Sequence, residues 1–388
     1  MTLILNRRSA QDGAPVLDRD ALADVQAYLA TRPDNRPTPL HALPGLATEA
    51  GVAAIHLKDE GARLGLGSFK ALGGAYAVSR LVLEEASRRL ARGLDFADLN
   101  SPEVHAVAAT MTVGCATDGN HGRSVAAGAA ALGARAVIFV HEGVSPDRAD
   151  AIARLGGEIV RVAGAYDDAV AEALRRAEAE GWLLVSDTAW PGYERIPVLI
   201  MRGYTALVQE ALDALPAPPT HVFVQAGVGG LAAAVAAYLE ATLGQVRPHI
   251  VVVEPARAAC LLESARSGRR VRIEDGPPTV MAMLECYEPS LTAWAILSRA
   301  ADAFMTVDEA EAVSIMRRLA RPAAGDPAIV AGESGGVGLA GLLSVAADRN
   351  QRAALGLNTA SRILVINTEG ATDPARYREL VGGPGDET

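Results

Sequence analysis

Short apolar runs alternate with amphipathic stretches along most of the chain. Strand-like runs lie at Ala54–Lys58, Ala106–Thr110, Ala136–Val140, Glu158–Val162, Leu183–Ser186, His221–Gln225, Ile250–Glu254 and Ile363–Asn367. Between most of them the apolar spacing is helical. Ala169–Gly181 is the clearest case, with Val170, Ala173, Leu174 and Ala177 on one face and a closing glycine. Further helices are predicted over Ala21–Ala30, over Arg123–Leu132 and from about Ala71. The last is supported by Glu84 with Arg88 and Glu85 with Arg89 at i,i+4. Residues 1–40 read as an arm, 93–103 as a loop and the terminal GGPGDET as a frayed tail. Strands that are apolar throughout, separated by helices, predict an α/β chain of mostly parallel open sheets covered on both faces. Val222–Leu239 is nearly apolar, but Gln225 and a Gly-Val-Gly-Gly run break it into strand, turn and helix rather than a membrane span.

The chain has 388 residues, enough for two domains. Half the residues are apolar and 21% are charged, which excludes disorder, collagen and a coiled coil. A net charge of −10 leaves no basic footprint for nucleic acid. The start, MTLILNRRSA, places its arginines after a short apolar stretch, the reverse of a signal peptide, so a cytoplasmic location is expected. Cys115, Cys260 and Cys286 show no zinc spacing, and whether Cys260 and Cys286 pair stays open. No metal site is expected. HExxH and G-x-S-x-G are absent, which leaves metallohydrolase and serine-hydrolase chemistry without support.

Of the 36 basic residues only Lys58 and Lys70 are lysines. Arginine substitutes for lysine as a surface cation but not as a nucleophile, because the guanidinium stays protonated. Lys58 stands in KDE beside Asp59 and Glu60 and reads as a salt-bridged cation. Lys70 follows GLGSF and opens an apolar, small-residue helix. Desolvation there would lower its pKa, as a Schiff-base lysine requires; the alternative is an ordinary lysine in a first helical turn.

Four glycine-bearing turns stand at strand ends, where open α/β sheets bind ligands. The first carries Lys70. The second is Thr117-Asp118-Gly119-Asn120-His121-Gly122, ahead of a helix and suited to an anion. Asp118 and Asn120 read equally well as cap and turn formers, and His121 as structural. The third, Gly227-Val228-Gly229-Gly230-Leu231, follows the strand VFVQA and has the strand–glycine loop–helix order of a phosphate cradle, without the Lys-Ser/Thr ending of a nucleotide loop. The fourth contains a G-x-G-x-x-G match at 336–341. The acid that closes its next strand, Glu369, is 28 residues after Gly341 rather than about 20, which argues against a dinucleotide site.

Lys70 in SFKALGGAYA, the TDGNHG turn and the GVGG loop, in that order, resemble the fold type II, tryptophan synthase β-like pyridoxal-phosphate enzymes. Within that group the diaminopropionate ammonia-lyases come nearest. They share aspartate at the second position of the turn (Asp118), where serine and threonine dehydratases have serine, and the stretch Asp187-Thr188-Ala189-Trp190. PTPL near residue 37, KDE near 58 and NTEGATD at 367–373 also match. The chain departs at Met283 and Tyr287, which replace two glycines of the family pattern.

The resemblance implies two α/β domains, a large one from 1–72 and 166–388 and a small mobile one over 73–165, with a homodimer as the assembly. It implies pyridoxal 5'-phosphate carried by Lys70, its phosphate held by Gly227, Val228, Gly229, Gly230 and Leu231, its phenolic oxygen by Asn120 and its pyridine nitrogen by Thr368. The substrate α-carboxylate is assigned to Thr117, Asp118, Gly119 and His121. Lys70 is the expected base on one face for an L-amino acid and Asp118 on the other for the D-isomer, with Asp187 as partner of a second ammonium. The implied activity is a step of amino-acid breakdown: elimination of ammonia from 2,3-diaminopropionate to pyruvate and ammonia. The alternatives are a serine/threonine-type dehydratase, another β-eliminating lyase or a racemase of this fold, and a binding relative without turnover.

Overall fold

Two sheets carry the chain in this computed structural model, which describes residues 2–8, 17–164, 166–322 and 325–382. The strands are β1 (Leu3–Leu5), β2 (Leu40–Ala42), β3 (Ala54–Asp59), β4 (Thr112–Ala116), β5 (Arg135–His141), β6 (Gly157–Val162), β7 (Leu183–Leu184), β8 (His221–Gln225), β9 (His249–Pro255), β10 (Ala303–Val307) and β11 (Arg362–Asn367). The larger sheet has the order β1-β10-β9-β8-β11-β3-β2 and the smaller β6-β5-β4-β7. All pairs are parallel except the two edges, β1 on β10 and β2 on β3.

Burial explains the apolar runs. All five residues of β8 are buried. Val222 and Val224 pack into one core layer while Phe223 packs into the other, so both faces of this strand are covered. The G-x-G-x-x-G match serves packing on the second face. A Cβ on Gly338 would stand 2.5 Å from the Phe223 carbonyl oxygen, and one on Gly341 2.9 Å from Val253. These glycines let the helix Val337–Ala347 lie directly on the sheet.

Four expectations need correction. Ala106–Thr110 is not a strand: Ser101 caps a helix over Pro102–Ala108, with Val104, Val107 and Ala108 buried at helical spacing. The strand lies next along the chain, at Thr112–Ala116. The N-terminal residues are not a loose arm, since β1 pairs with β10 and the helix Arg19–Ala30 buries Leu22, Val25 and Tyr28, with Tyr28 against Tyr76 and Phe96. The smaller sheet takes its edge strand from Leu183–Leu184, so it runs past residue 165. In the helix Lys70–Leu90, Glu85 binds both Arg88 and Arg89, while Glu84 turns to Arg80 and Arg195. Of the tail expected to fray, only Gly382 lies within the described residues.

No helix among the described residues is long and apolar enough to cross a membrane. No cluster of metal-ligating side chains occurs among them either, and all three cysteines are free.

Candidate active site

The parallel strands bring their carboxyl ends to one cleft between the two sheets, as open α/β sheets do. Lys70, Thr117, Asp118, Asn120, His121, Asp187, the Gly227–Leu231 loop and Thr368 all line it. Gly119, the remaining residue singled out from sequence, is not on the lining; at φ +151° it turns the chain ahead of the helix Asn120–Leu132.

Lys70 is the first residue of its helix. That helix is held close to the helix Arg195–Ala214: a Cβ on Gly203 would sit 2.4 Å from the Leu72 carbonyl oxygen, and Phe69 packs edge-on to Tyr204. The Lys70 ammonium pairs with the Asp187 carboxylate, and both side chains are largely withdrawn from solvent. Burial works to lower the lysine pKa, yet Asp187 outweighs it and the ammonium is held up and charged. Asp187 responds in the opposite sense. Burial raises it, but Lys70 and then His121 pull it well below the ordinary carboxylate range. The expected lowering of the lysine pKa by burial is therefore overruled by its counter-ion. Lys58 is a structural cation, as expected, but with other partners. Its Nζ is buried and binds Glu210 at 2.6 Å and the Thr38 carbonyl at 2.7 Å, while Glu60 pairs with Arg63.

In the second turn the Thr117 hydroxyl accepts the N–H groups of Gly119 and Gly122 at 3.0 and 3.1 Å. His121 is buried, bonded through Nε2 to the Val185 carbonyl at 2.6 Å, and burial lowers its pKa. Asp118 faces His141, at the end of the neighbouring strand β5, with Oδ1 2.9 Å from Nε2. That hydrogen bond raises the His141 pKa against the effect of its partial burial. The Gly143 N–H donates to Nδ1 at 3.1 Å, which leaves Nε2–H to donate to Asp118.

The third turn ends β8 and opens the helix Gly230–Leu243. Gly229 takes φ +99°, a conformation that strains any other residue. The first N–H groups of a helix have no partner within it and carry the positive end of its dipole. Below this loop, Gln225 donates from Nε2 to Thr368 Oγ1 at 3.1 Å, and Thr368 donates to the Ser334 carbonyl at 3.3 Å. The Ser334 hydroxyl is buried without a partner and lines the cleft. Asn120 donates its amide to Glu369 at 2.5 Å, and Glu369 also accepts from the Ser334 N–H. Burial, then the Glu333 carboxylate, push Glu369 up to about 7. Arg148 pairs with Glu333 and so joins the smaller sheet's helix Pro146–Ala153 to the larger sheet.

Sequence reasoning missed Tyr166, Ser334 and Glu369 as cleft residues and His141 as the partner of Asp118. Ser334 and Glu369 stand in stretches the sequence does single out, the fourth glycine turn and NTEGATD, without a local sign that both reach the cleft. Of the two departures, Met283 lines the cleft together with Leu284 and Cys286. Tyr287 does not, and its hydroxyl donates to Glu285.

A lysine at the cleft, a glycine loop on a helix N-terminus facing the same space and buried hydroxyls lining it fit an aldehyde-bearing aromatic phosphate. The unpartnered Ser334 hydroxyl and the open space beside Gly230, where a Cβ would meet only Met201 within 4 Å, leave room for one. The chain belongs to the pyridoxal-phosphate dependent enzyme family, whose profile matches residues 31–369. Within that family it is similar to the diaminopropionate ammonia-lyase of Escherichia coli K12, 42% identical over 354 residues that cover 89% of this chain and 87% of that one. The enzyme of the same name from Salmonella typhimurium LT2 is 38% identical, over 92% of this chain and 91% of its own. The crystal structure of the Escherichia coli enzyme in complex with an aminoacrylate–PLP azomethine reaction intermediate superposes with a TM-score of 0.88. It is 38% identical, with 98% of this chain and 96% of that chain covered.

Proposed function

We propose that the chain eliminates ammonia from 2,3-diaminopropionate, of D or L configuration or both, giving pyruvate and two molecules of ammonia with uptake of one water. One observation carries the choice of substrate. Asp187 places a half-buried carboxylate in the cleft, and its ion-pair partner is Lys70, the residue that would hold the cofactor. A substrate with a second ammonium group supplies the missing counter-charge; a hydroxyl does not. The similarity to two diaminopropionate ammonia-lyases over about nine-tenths of the chain supports the same choice.

Pyridoxal phosphate, when bound, supplies an electron sink that makes the substrate Cα proton removable. In this reading Lys70 holds the cofactor, and the N–H groups of Gly227, Val228, Gly229, Gly230 and Leu231 hold its phosphate. Asn120 donates to the phenolic oxygen. Thr368 answers the pyridine nitrogen, with the free Ser334 hydroxyl beside it. Thr117, Asp118, Gly119 and His121 form the turn that receives the α-carboxylate. Lys70 takes the Cα proton of the L-isomer and Asp118, oriented by His141, that of the D-isomer. Asp187 holds the second amine in place until it leaves.

The family resemblance extends the proposal to a homodimer working in the cytoplasm, which sedimentation equilibrium of the purified protein tests by returning twice the chain mass. The activity is tested by measuring ammonia and pyruvate released from D- and L-2,3-diaminopropionate beside L-serine and L-threonine. Faster turnover of a diaminopropionate isomer is expected. Preference for serine or threonine turns the reading to a dehydratase, and no product from any of the four removes it.

A further inference from the structure

A second cavity of about 570 Å³ opens on the far side of the Lys70 segment. One wall comes from helices of the smaller sheet and carries Arg123, Arg154 and Asp147; the other comes from loops of the larger sheet and includes Gly67, Gly370 and Thr372. The second wall is tied to the segments that carry Lys70 and Thr368. Gly370 donates to the Gly67 carbonyl at 3.0 Å, and Phe69, next to Lys70, donates to the Thr368 carbonyl at 3.0 Å.

Arg123 is out of place in this protein. The chain carries 46 acidic residues against 36 basic ones, and most of its withdrawn arginines have a carboxylate partner. Among the described residues neither Arg123 nor Arg154 has an ion pair, and the Arg123 Nε is buried without a hydrogen-bond acceptor. The Arg123 guanidinium lies over Gly67, its nitrogens 3.5 and 3.7 Å from where a Cβ would stand. Burial, and then the charge of Arg154, destabilise its charged form, and the attraction of Glu369 offsets this only in part. A desolvated cation beside a like charge needs an anion, and a planar guanidinium fork matches an oxyanion in two hydrogen bonds.

We propose that this cavity binds a small oxyanion, a phosphate- or carboxylate-bearing metabolite, held between Arg123 and Arg154. Bound there, it bridges the helix wall of the smaller sheet to the 370–374 loop, beside the segment that presents Thr368 and Glu369 to the active site.

The test is calorimetric titration of the holoenzyme, whose cofactor-phosphate loop is already filled, with inorganic phosphate and separately with succinate. At least one is expected to bind saturably at one site per chain, and which one binds identifies the anionic group. Arg123→Gln should weaken that binding at least tenfold. Arg154→Gln, on the exposed rim, serves as the second variant and should weaken it several-fold, with the cofactor absorbance unchanged. No saturable binding of either titrant overturns the proposal, and so does binding that both substitutions leave intact. The outcome does not depend on the substrate assignment.

Discussion

Lys70 and Asp187 form an ion pair at the centre of the cleft although 117 residues separate them in the chain. The pair joins the helix of one layer to the loop after β7 of the other and fixes the ionisation of both groups. In the proposed function Lys70 would hold the cofactor, and Asp187 would then face the second ammonium of the substrate. The pair keeps some solvent access, so removing one partner costs about 3 kcal/mol, the low end for buried pairs. Asp187→Asn is therefore expected to lower kcat/KM for diaminopropionate by two to three orders of magnitude, mostly through KM, and to spare any turnover of serine by comparison. Steady-state kinetics on both substrates check this, and equal losses on both would remove Asp187 from second-amine recognition.

In the proposed mechanism the Asp118–His141 contact serves the D-isomer and not the L-isomer. Asp118→Asn is expected to reduce turnover of the D-isomer far more than that of the L-isomer. His141→Gln keeps a hydrogen bond but loses the titratable ring, and a drop of about tenfold confined to the D-isomer is expected, from the loss of about 1.4 kcal/mol of carboxylate orientation. His141 has its pKa raised by Asp118, so the charged pair is complete below the ordinary imidazole value and is lost as pH rises through the raised one. The D-isomer rate profile of the parent should carry that upper limb, and the His141→Gln profile should not.

Glu369 links pH to stability. Its pKa is raised to about 7, so the folded chain binds a proton there that the unfolded chain has released. The resulting stability is present below about pH 4.5 and declines as pH rises through about 7. Glu369→Gln should remove this slope, so that its stability changes less than that of the parent between pH 5 and 8. Urea unfolding of both proteins at pH 5, 6, 7 and 8 measures the difference, and parallel curves would contradict the assignment.

Close helix contact holds Lys70 in place. Gly203→Ala puts a methyl group on the Leu72 carbonyl, and overpacking of this kind costs about 1–3 kcal/mol. A lower Tm is expected, with faster loss of cofactor on dialysis. An unchanged Tm would show that the two helices separate without cost.

The parallel α/β architecture and most strands were legible because buried parallel strands are apolar end to end. Four of the seven strands of the larger sheet are read directly from that pattern, β3, β8, β9 and β11. The edge strands β1 and β2 are too short to show any period, and β10 was passed over. Ala106–Thr110 misled because its apolar residues fit both periods and only the Ser101-Pro102 cap decides between them. The residues that line the cleft were legible where polar groups are concentrated in one turn, as with Lys70, Asp118 and the glycine loop. His141, Ser334 and Glu369 were not, because each meets its partner across strands or loops distant in sequence: His141 is 23 residues from Asp118, and Glu369 is 249 from Asn120. Partners of that kind leave no local signal.

Lys70 is the proposed carrier of the cofactor, in a chain whose one other lysine is locked against Glu210. Borohydride reduction of the holoenzyme, followed by mass mapping of the peptide that retains the cofactor, addresses this directly. The label is expected on Lys70 alone. A label on Lys58 or on the N-terminal amine, or a protein that gives no label while it still releases ammonia, would contradict it.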